Sequence, residues 1–224
     1  MRRQVTGALV RQGEPGGDAW PMRLINAGAP KRALTTIMLI QSVASNSSFY
    51  GSPIDVKLLY AADFRVRMGR GTATAFTTSP LIRVEKSYVS AMPGPQDWVT
   101  GWEVQPAIGA TIGSQAQSSG GAAGSISITL AAGTNFAAGN YVFMHNTGIQ
   151  LSEWARVLSV SSATLTLEEP LVNSQSGATC RNQAEQWNPY LDLSGVQWIR
   201  PVVDANSSGQ AVIVQIDAGF VVRP

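Results

Sequence analysis

The chain has 224 residues, 44% of them hydrophobic and only 13% charged, with a formal net charge of +2. Globular chains typically carry about 25% charged residues, so Ser, Thr, Asn, Gln, Gly and Ala must cover much of this surface, as expected where neighbours occupy it. Near-neutrality argues against a dedicated nucleic-acid binder, the single cysteine excludes an internal disulfide, and no apolar run approaches the roughly 18 residues of a membrane span.

Residues 1–19 read as an extended arm. Val5, Ala8, Leu9 and Val10 form its one apolar cluster, Arg2, Arg3 and Arg11 carry charge, and residues 12–18 interrupt any export-signal core. So little apolar surface cannot build a core of its own. The expectation is that Val5, Leu9 and Val10 dock on a neighbouring protein while Arg2, Arg3 and Arg11 meet its acidic groups. Trp20–Ile25 reads as the first body strand. Residues 31–44 are long enough for a helix, but adjacent Thr35, Thr36 and Ile37 favour a strand. Next, Ile54, Val56, Leu58 and Tyr60 alternate with Asp55 and Lys57, and Phe64, Val66 and Met68 alternate with Asp63, Arg65 and Arg67. Ala61-Ala62 between them predicts a bend or bulge separating two strands. Leu81–Tyr88 is a further strand. Arg65, Arg67, Arg70, Arg83 and Lys86, offset by Asp63 and Glu85, form either a solvated sheet face or a partner-facing patch.

Met92-Pro93-Gly94-Pro95 reads as a hinge, and residues 109–124, rich in Gly, Ala, Ser and Gln, read as a flexible linker. Four short strands follow, at 125–130, 141–144, 154–160 and 163–167, with Ile126, Ile128 and Leu130 on one face of the first. They predict a small barrel or meander. Asn173–Gln186 is a second polar stretch, after which 187–195 returns to strand. Val196–Asp204 and Gln210–Asp217 read as a closing hairpin, with Pro201 marking an edge or bulge. Val212, Val214 and Ile216 alternate with Ile213 and Gln215, so that strand is apolar on nearly both faces, as a central or partner-facing strand is. The expected fold is all-β: a jelly-roll-like sandwich body (20–108 and 187–224), an inserted linker-flanked module (109–186) and the arm.

The usual constellations of catalysis are missing from the sequence. The only histidine, His145, lies in a predicted exposed turn with no serine in a Gly-x-Ser-x-Gly setting. Cys180 reads as a buried thiol, and Glu168-Glu169 point to opposite sides of a strand end. No enzyme activity, metal or cofactor is expected. Of the six tryptophans, Trp154 and Trp198 fall within strands and read as core or interface anchors, while Trp98 and Trp102 are the better candidates for stacking on a sugar.

Residues 136–143, Phe136 to Phe143, and 152–167, Ser152 to Leu167, resemble the β-modules of virion proteins of tailed bacteriophages. Leu191-Asp192-Leu193-Ser194-Gly195-Val196, with the Val212–Ile216 strand, is similar to the last hairpin of jelly-roll-like phage head proteins. The resemblance implies a capsid decoration (cement) protein, of a class that clamps major capsid subunits and is often trimeric. Its partners would be the major capsid protein and its own copies, in a virion assembled in the host cytoplasm, with neither nucleic acid nor membrane contacted. Tail and head–tail connector components use similar modules, and a carbohydrate-binding module is the alternative from another class. No family functional residue carries over to this chain.

Overall fold

The computed structural model describes residues 35–107, 109, 112–133, 135–205 and 208–222. The expected arm and the Trp20–Ile25 strand lie outside the described residues. In chain order the strands are β1 (Thr35–Val43), β2 (Ser48–Tyr50), β3 (Ile54–Asp55), β4 (Leu59–Arg70), β5 (Leu81–Ser87) and β6 (Val99–Val104). Then come β7 (Ser114–Gly120), β8 (Ser127–Leu130), β9 (Tyr141–His145), β10 (Glu153–Ser161), β11 (Thr164–Leu167) and β12 (Thr179–Arg181). Last are β13 (Glu185–Trp187), β14 (Tyr190–Asp192), β15 (Trp198–Asp204) and β16 (Val212–Val222). The chain is all-β; among the described residues helix is confined to short 3-10 turns at Pro95–Asp97 and Ile149–Leu151.

The alternation along β4 sets the sandwich. Phe64, Val66 and Met68 point inward and pair with Ala218, Ile216 and Val214 of β16, whose alternate residues point inward in step. The first sheet runs β1-β16-β4-β13, with β14 also on β4; the second runs β2-β15-β5-β6, with β3 also on β15. Ile82, Val84, Ile199 and Val203 of the second sheet meet the inward residues of the first in one core. The first described strand lies beside the last, and the second beside the penultimate. The strand order is thus nested in both sheets.

Three local expectations fail here. Lys57 N donates to Asp55 Oδ1 at 3.0 Å and Leu59 N to Val56 O at 2.9 Å, a turn that buries Val56 but leaves Leu58 and Tyr60 exposed. Ala61-Ala62 is no boundary. Both lie buried inside the single long strand β4, and the register shift falls one step earlier, between Leu59 and Ala61. Nor do β15 and β16 form a hairpin: β15 belongs to the second sheet and β16 to the first. Strand β16 takes the central place between β1 and β4, with its inner face apolar and Ile213, Gln215 and Asp217 on its outer face. Pro201 lacks an N–H, and the second-sheet ladder is broken opposite it, between the pairings of β3 with Trp198–Ile199 and of β2 with Val202–Asp204.

Between β6 and β13 the chain builds a closed barrel in the order β10-β11-β8-β7-β12-β9. Ile128, Leu130, Val142, Met144, Val157, Leu165, Leu167 and Cys180 fill it. Ile126 precedes β8 and is exposed rather than inward. The polar stretches expected to be linkers supply two of the barrel strands. Thr179, Cys180 and Arg181 of β12 pair with Ala116, Gln115 and Ser114 of β7, which closes the cylinder. Closure leaves no open sheet edge, and for that a strand needs its backbone more than apolar side chains.

The barrel seats on the outer face of the first sheet. Phe143 and Trp154 from the barrel pack with Ile40 and Ile213. The outward apolar end of β16 is therefore covered by the same chain and does not call for a neighbouring subunit. Beside this contact Asp217, almost fully buried, accepts from Arg65 Nη2 at 2.9 Å, Arg67 Nη2 at 3.0 Å and Thr36 Oγ1 at 2.7 Å. The Arg67 guanidinium in turn lies 5.2 Å from the centre of the Trp154 ring.

Candidate ligand cleft

The opposite, outward face of the second sheet carries the candidate site. Alternation along β5 puts Arg83 and Glu85 on that face, and the ladder sets Arg200 of β15 directly opposite Glu85. Tyr50, at the end of β2, pairs with Val202, two residues from Arg200. Trp98 caps the 3-10 turn at Pro95–Asp97, just before β6 begins. Together Tyr50, Arg83, Glu85, Pro95, Trp98 and Arg200 line an open cleft of ≈ 400 Å³.

A buried acid organises the cations. Glu85 accepts from Arg83 Nε through Oε1 at 2.7 Å and from Arg200 Nε through Oε2 at 2.7 Å, with Arg200 Nη2 also 2.7 Å away. The Arg200 guanidinium lies 4.3 Å from the centre of the Trp98 ring and 4.9 Å from that of Tyr50. Ion pair and aromatic rings thus fix its plane. Two guanidinium groups share the Glu85 carboxylate, and exposed Glu103 of β6 stands opposite Arg83 in the ladder. Both oxygens of Glu85 are engaged, while Nη1 of Arg200 and both Nη atoms of Arg83 have no hydrogen-bond acceptor among the described residues. The groups left to a ligand are mainly guanidinium N–H donors, with the Tyr50 hydroxyl able to donate or accept.

The two tryptophans singled out by sequence part company. Trp98 lines the cleft, whereas Trp102 pairs with Val84 and packs on the sandwich core. A spacing of four along a regular strand would put both on one face. The ladder between β5 and β6 shifts register between Val84 and Glu85, which face Trp102 and Thr100, so Gly101 is the extra residue and the face changes there. A side chain at Gly101 would meet the Val84 carbonyl oxygen at 3.1 Å and the Leu191 methyls at 3.2 Å. Sequence reasoning missed Tyr50, Glu85 as an organiser, and Arg200. The Arg83-x-Glu85 spacing in a strand was the available signal for part of that cluster.

The expected basic patch is dispersed. Arg65 and Arg67 serve Asp217 on the first sheet, Arg70 lies buried 4.7 Å from the Phe76 ring centre, Lys86 sits 5.5 Å from the Tyr88 ring centre, and Arg83 alone belongs to the cleft. His145 is not in an exposed turn. It ends β9, half-buried, with its ring centre 5.7 Å from that of Phe143. Burial, and secondarily the Arg181 charge, hold its imidazole below the ordinary 6.5. Burial pushes the Cys180 thiol up to about 12 against a weaker downward pull from Arg181, which leaves it without thiolate character at neutral pH. Trp154 sits in the seam between barrel and sandwich; Trp198 lies on the outer face of the second sheet with Lys57 Nζ 4.7 Å from its ring centre. No cluster of three or more His, Cys, Asp or Glu suited to a metal occurs among the described residues. The expected partner-binding residues Arg2, Arg3, Val5, Leu9, Val10 and Arg11 lie outside the described residues.

No protein-family model, curated protein or solved structure matches the chain.

Proposed function

We propose that this chain is a structural protein of a bacteriophage particle, a decoration protein that binds the major capsid shell and stabilises it. The observation that carries the reading is the nested order of the two sheets. Jelly-roll sandwiches serve in viral capsid and lectin domains. The barrel inserted between β6 and β13 packs on the first sheet through Phe143 and Trp154, a contact suited to a protein that transmits force between neighbours. The mechanism is mechanical: many copies, each favouring the assembled shell, stabilise it by mass action. Scarce surface charge keeps such contacts free of large desolvation costs. Electron microscopy of the native particle tests the reading. Copies distributed over the head support it; copies confined to the tail or one vertex point to a tail or connector component, and particles without the protein overturn both.

A second reading has its own observation. The cleft of Trp98, Tyr50, Arg83 and Arg200 has the aromatic and donor groups of a saccharide-binding module. Fold alone does not choose between the readings, because function resides in the site.

A further inference from the structure

We infer that the cleft on the second sheet binds a carboxylate carried on a small ring, as in an acidic sugar residue. The inference rests on the saccharide-binding reading and not on a place in a virion.

The carboxylate follows from the donor count. Arg83 and Arg200 converge on one face, Glu85 takes one N–H from Arg83 and two nitrogens from Arg200, and the remaining guanidinium nitrogens meet no acceptor among the described residues. A neutral sugar presents hydroxyls that both donate and accept, so it would use these groups poorly. A carboxylate only accepts and matches the guanidinium edge, with charge-assisted bonds roughly twice as strong as neutral ones. Glu85 is committed to Arg83 through one oxygen and to Arg200 through the other.

The ring-sized body follows from the walls. Trp98, Tyr50 and Pro95 supply the apolar lining beside the cations, and the cleft's ≈ 400 Å³ lies toward the small end of ligand sites. Arg200 is fixed in advance between two rings and a buried acid, with its side chain 17% exposed. Little side-chain freedom is left to lose on binding. The cleft is open, which suits a terminal residue of a longer chain entering from solvent.

Arg83→Gln is the informative variant, since it removes one donor group and leaves the Arg200–Glu85 contact in place. Trp98→Leu is the second, removing the ring and keeping both arginines. The full-length protein labelled with ¹⁵N is titrated with D-glucuronate, N-acetylneuraminate, D-glucose and inorganic phosphate while the Trp98 indole N–H is followed, or the nearby backbone amides in the Trp98 variant. The expected result is saturable binding of at least one acidic sugar. It is about tenfold weaker for glucose and for phosphate, and weakened about tenfold in each variant, as loss of one charge-assisted or stacking partner implies. Glucose binding as tightly as glucuronate would keep the saccharide reading and overturn the carboxylate. Phosphate binding as tightly would reduce the cleft to a simple anion site and overturn the sugar. No saturable shift with any of the four would overturn the inference and the saccharide reading together. Unchanged affinity in both variants, with spectra otherwise like the wild type, would place binding elsewhere and overturn it too.

Discussion

The Phe143 ring occupies the place where a side chain on Gly69 would begin: a Cβ built on Gly69 falls 2.5 Å from Phe143 Cγ and 2.6 Å from Cδ1. Gly69 lies on the outer face of β4 opposite Ile213, and Phe143 is fully buried between barrel and sandwich. This one pair explains how the barrel approaches the sheet so closely.

Replacing Gly69 should therefore run against the usual trend. Alanine in a strand interior normally gains about 0.5–1 kcal/mol over glycine, but forcing a methyl into a packed contact costs about 1–3 kcal/mol. Gly69→Ala is expected to lower stability by about 1–2 kcal/mol, and Phe143→Ala by about 3–5 kcal/mol. The double variant should lose less than the sum, because the alanine methyl then enters vacated space. Urea unfolding of the four proteins checks this. A Gly69→Ala protein as stable as the wild type would show that Phe143 does not sit on that backbone.

Strand β7 gives a second expectation. Gln117 N donates to Ala178 O and Ala131 N to Ala116 O, each at 2.9 Å. Hydrogen exchange of peptides covering residues 114–120 should show protection close to that of β8 and β11, because opening them breaks the barrel. Exchange at the rate of an unstructured linker would contradict a closed barrel.

How much of this was legible in the sequence depended on whether side chains carried the signal. The Phe64, Val66, Met68 alternation and the strands at 141–144, 154–160 and 163–167 announced themselves through apolar period. Strands β7 and β12 did not. Ser114–Gly120 has almost no buried side chain, and its place comes from backbone bonding to strands distant in sequence. Leu58 and Tyr60 matched the period yet point outward, because the Asp55 turn resets the alternation. The hairpin expected at the end failed for a similar reason: adjacency in sequence does not say which sheet receives each strand. Trp98 was picked out, but its partners Tyr50 and Arg200 lie 48 and 102 positions away and meet it only through pairing across the second sheet.

His145 and Glu185 should give stability a pH dependence of opposing signs. Burial holds His145 below its unfolded value of 6.5, so the unfolded chain binds the proton more readily and stability falls as pH drops through that value. Burial raises Glu185 above its ordinary 4.5, against a smaller pull from Arg70. The folded state then holds that proton more tightly, and stability falls as pH rises from 4.5 through the raised value. His145→Gln should flatten the loss just below pH 6.5, and Glu185→Gln should flatten the decline above pH 4.5. Thermal midpoints across pH 4–8 check both, at about one-unit resolution. Parallel curves for His145→Gln and wild type would contradict the burial of that imidazole.

The most direct test of a mechanical, shell-binding role is reconstitution. Particles stripped of this protein are mixed with the purified full-length chain, sedimented, and heated while genome release is followed. The chain should rebind saturably over the head and raise the temperature at which particles rupture. Failure of the protein to sediment with heads, or binding that leaves the rupture temperature unchanged, would contradict it.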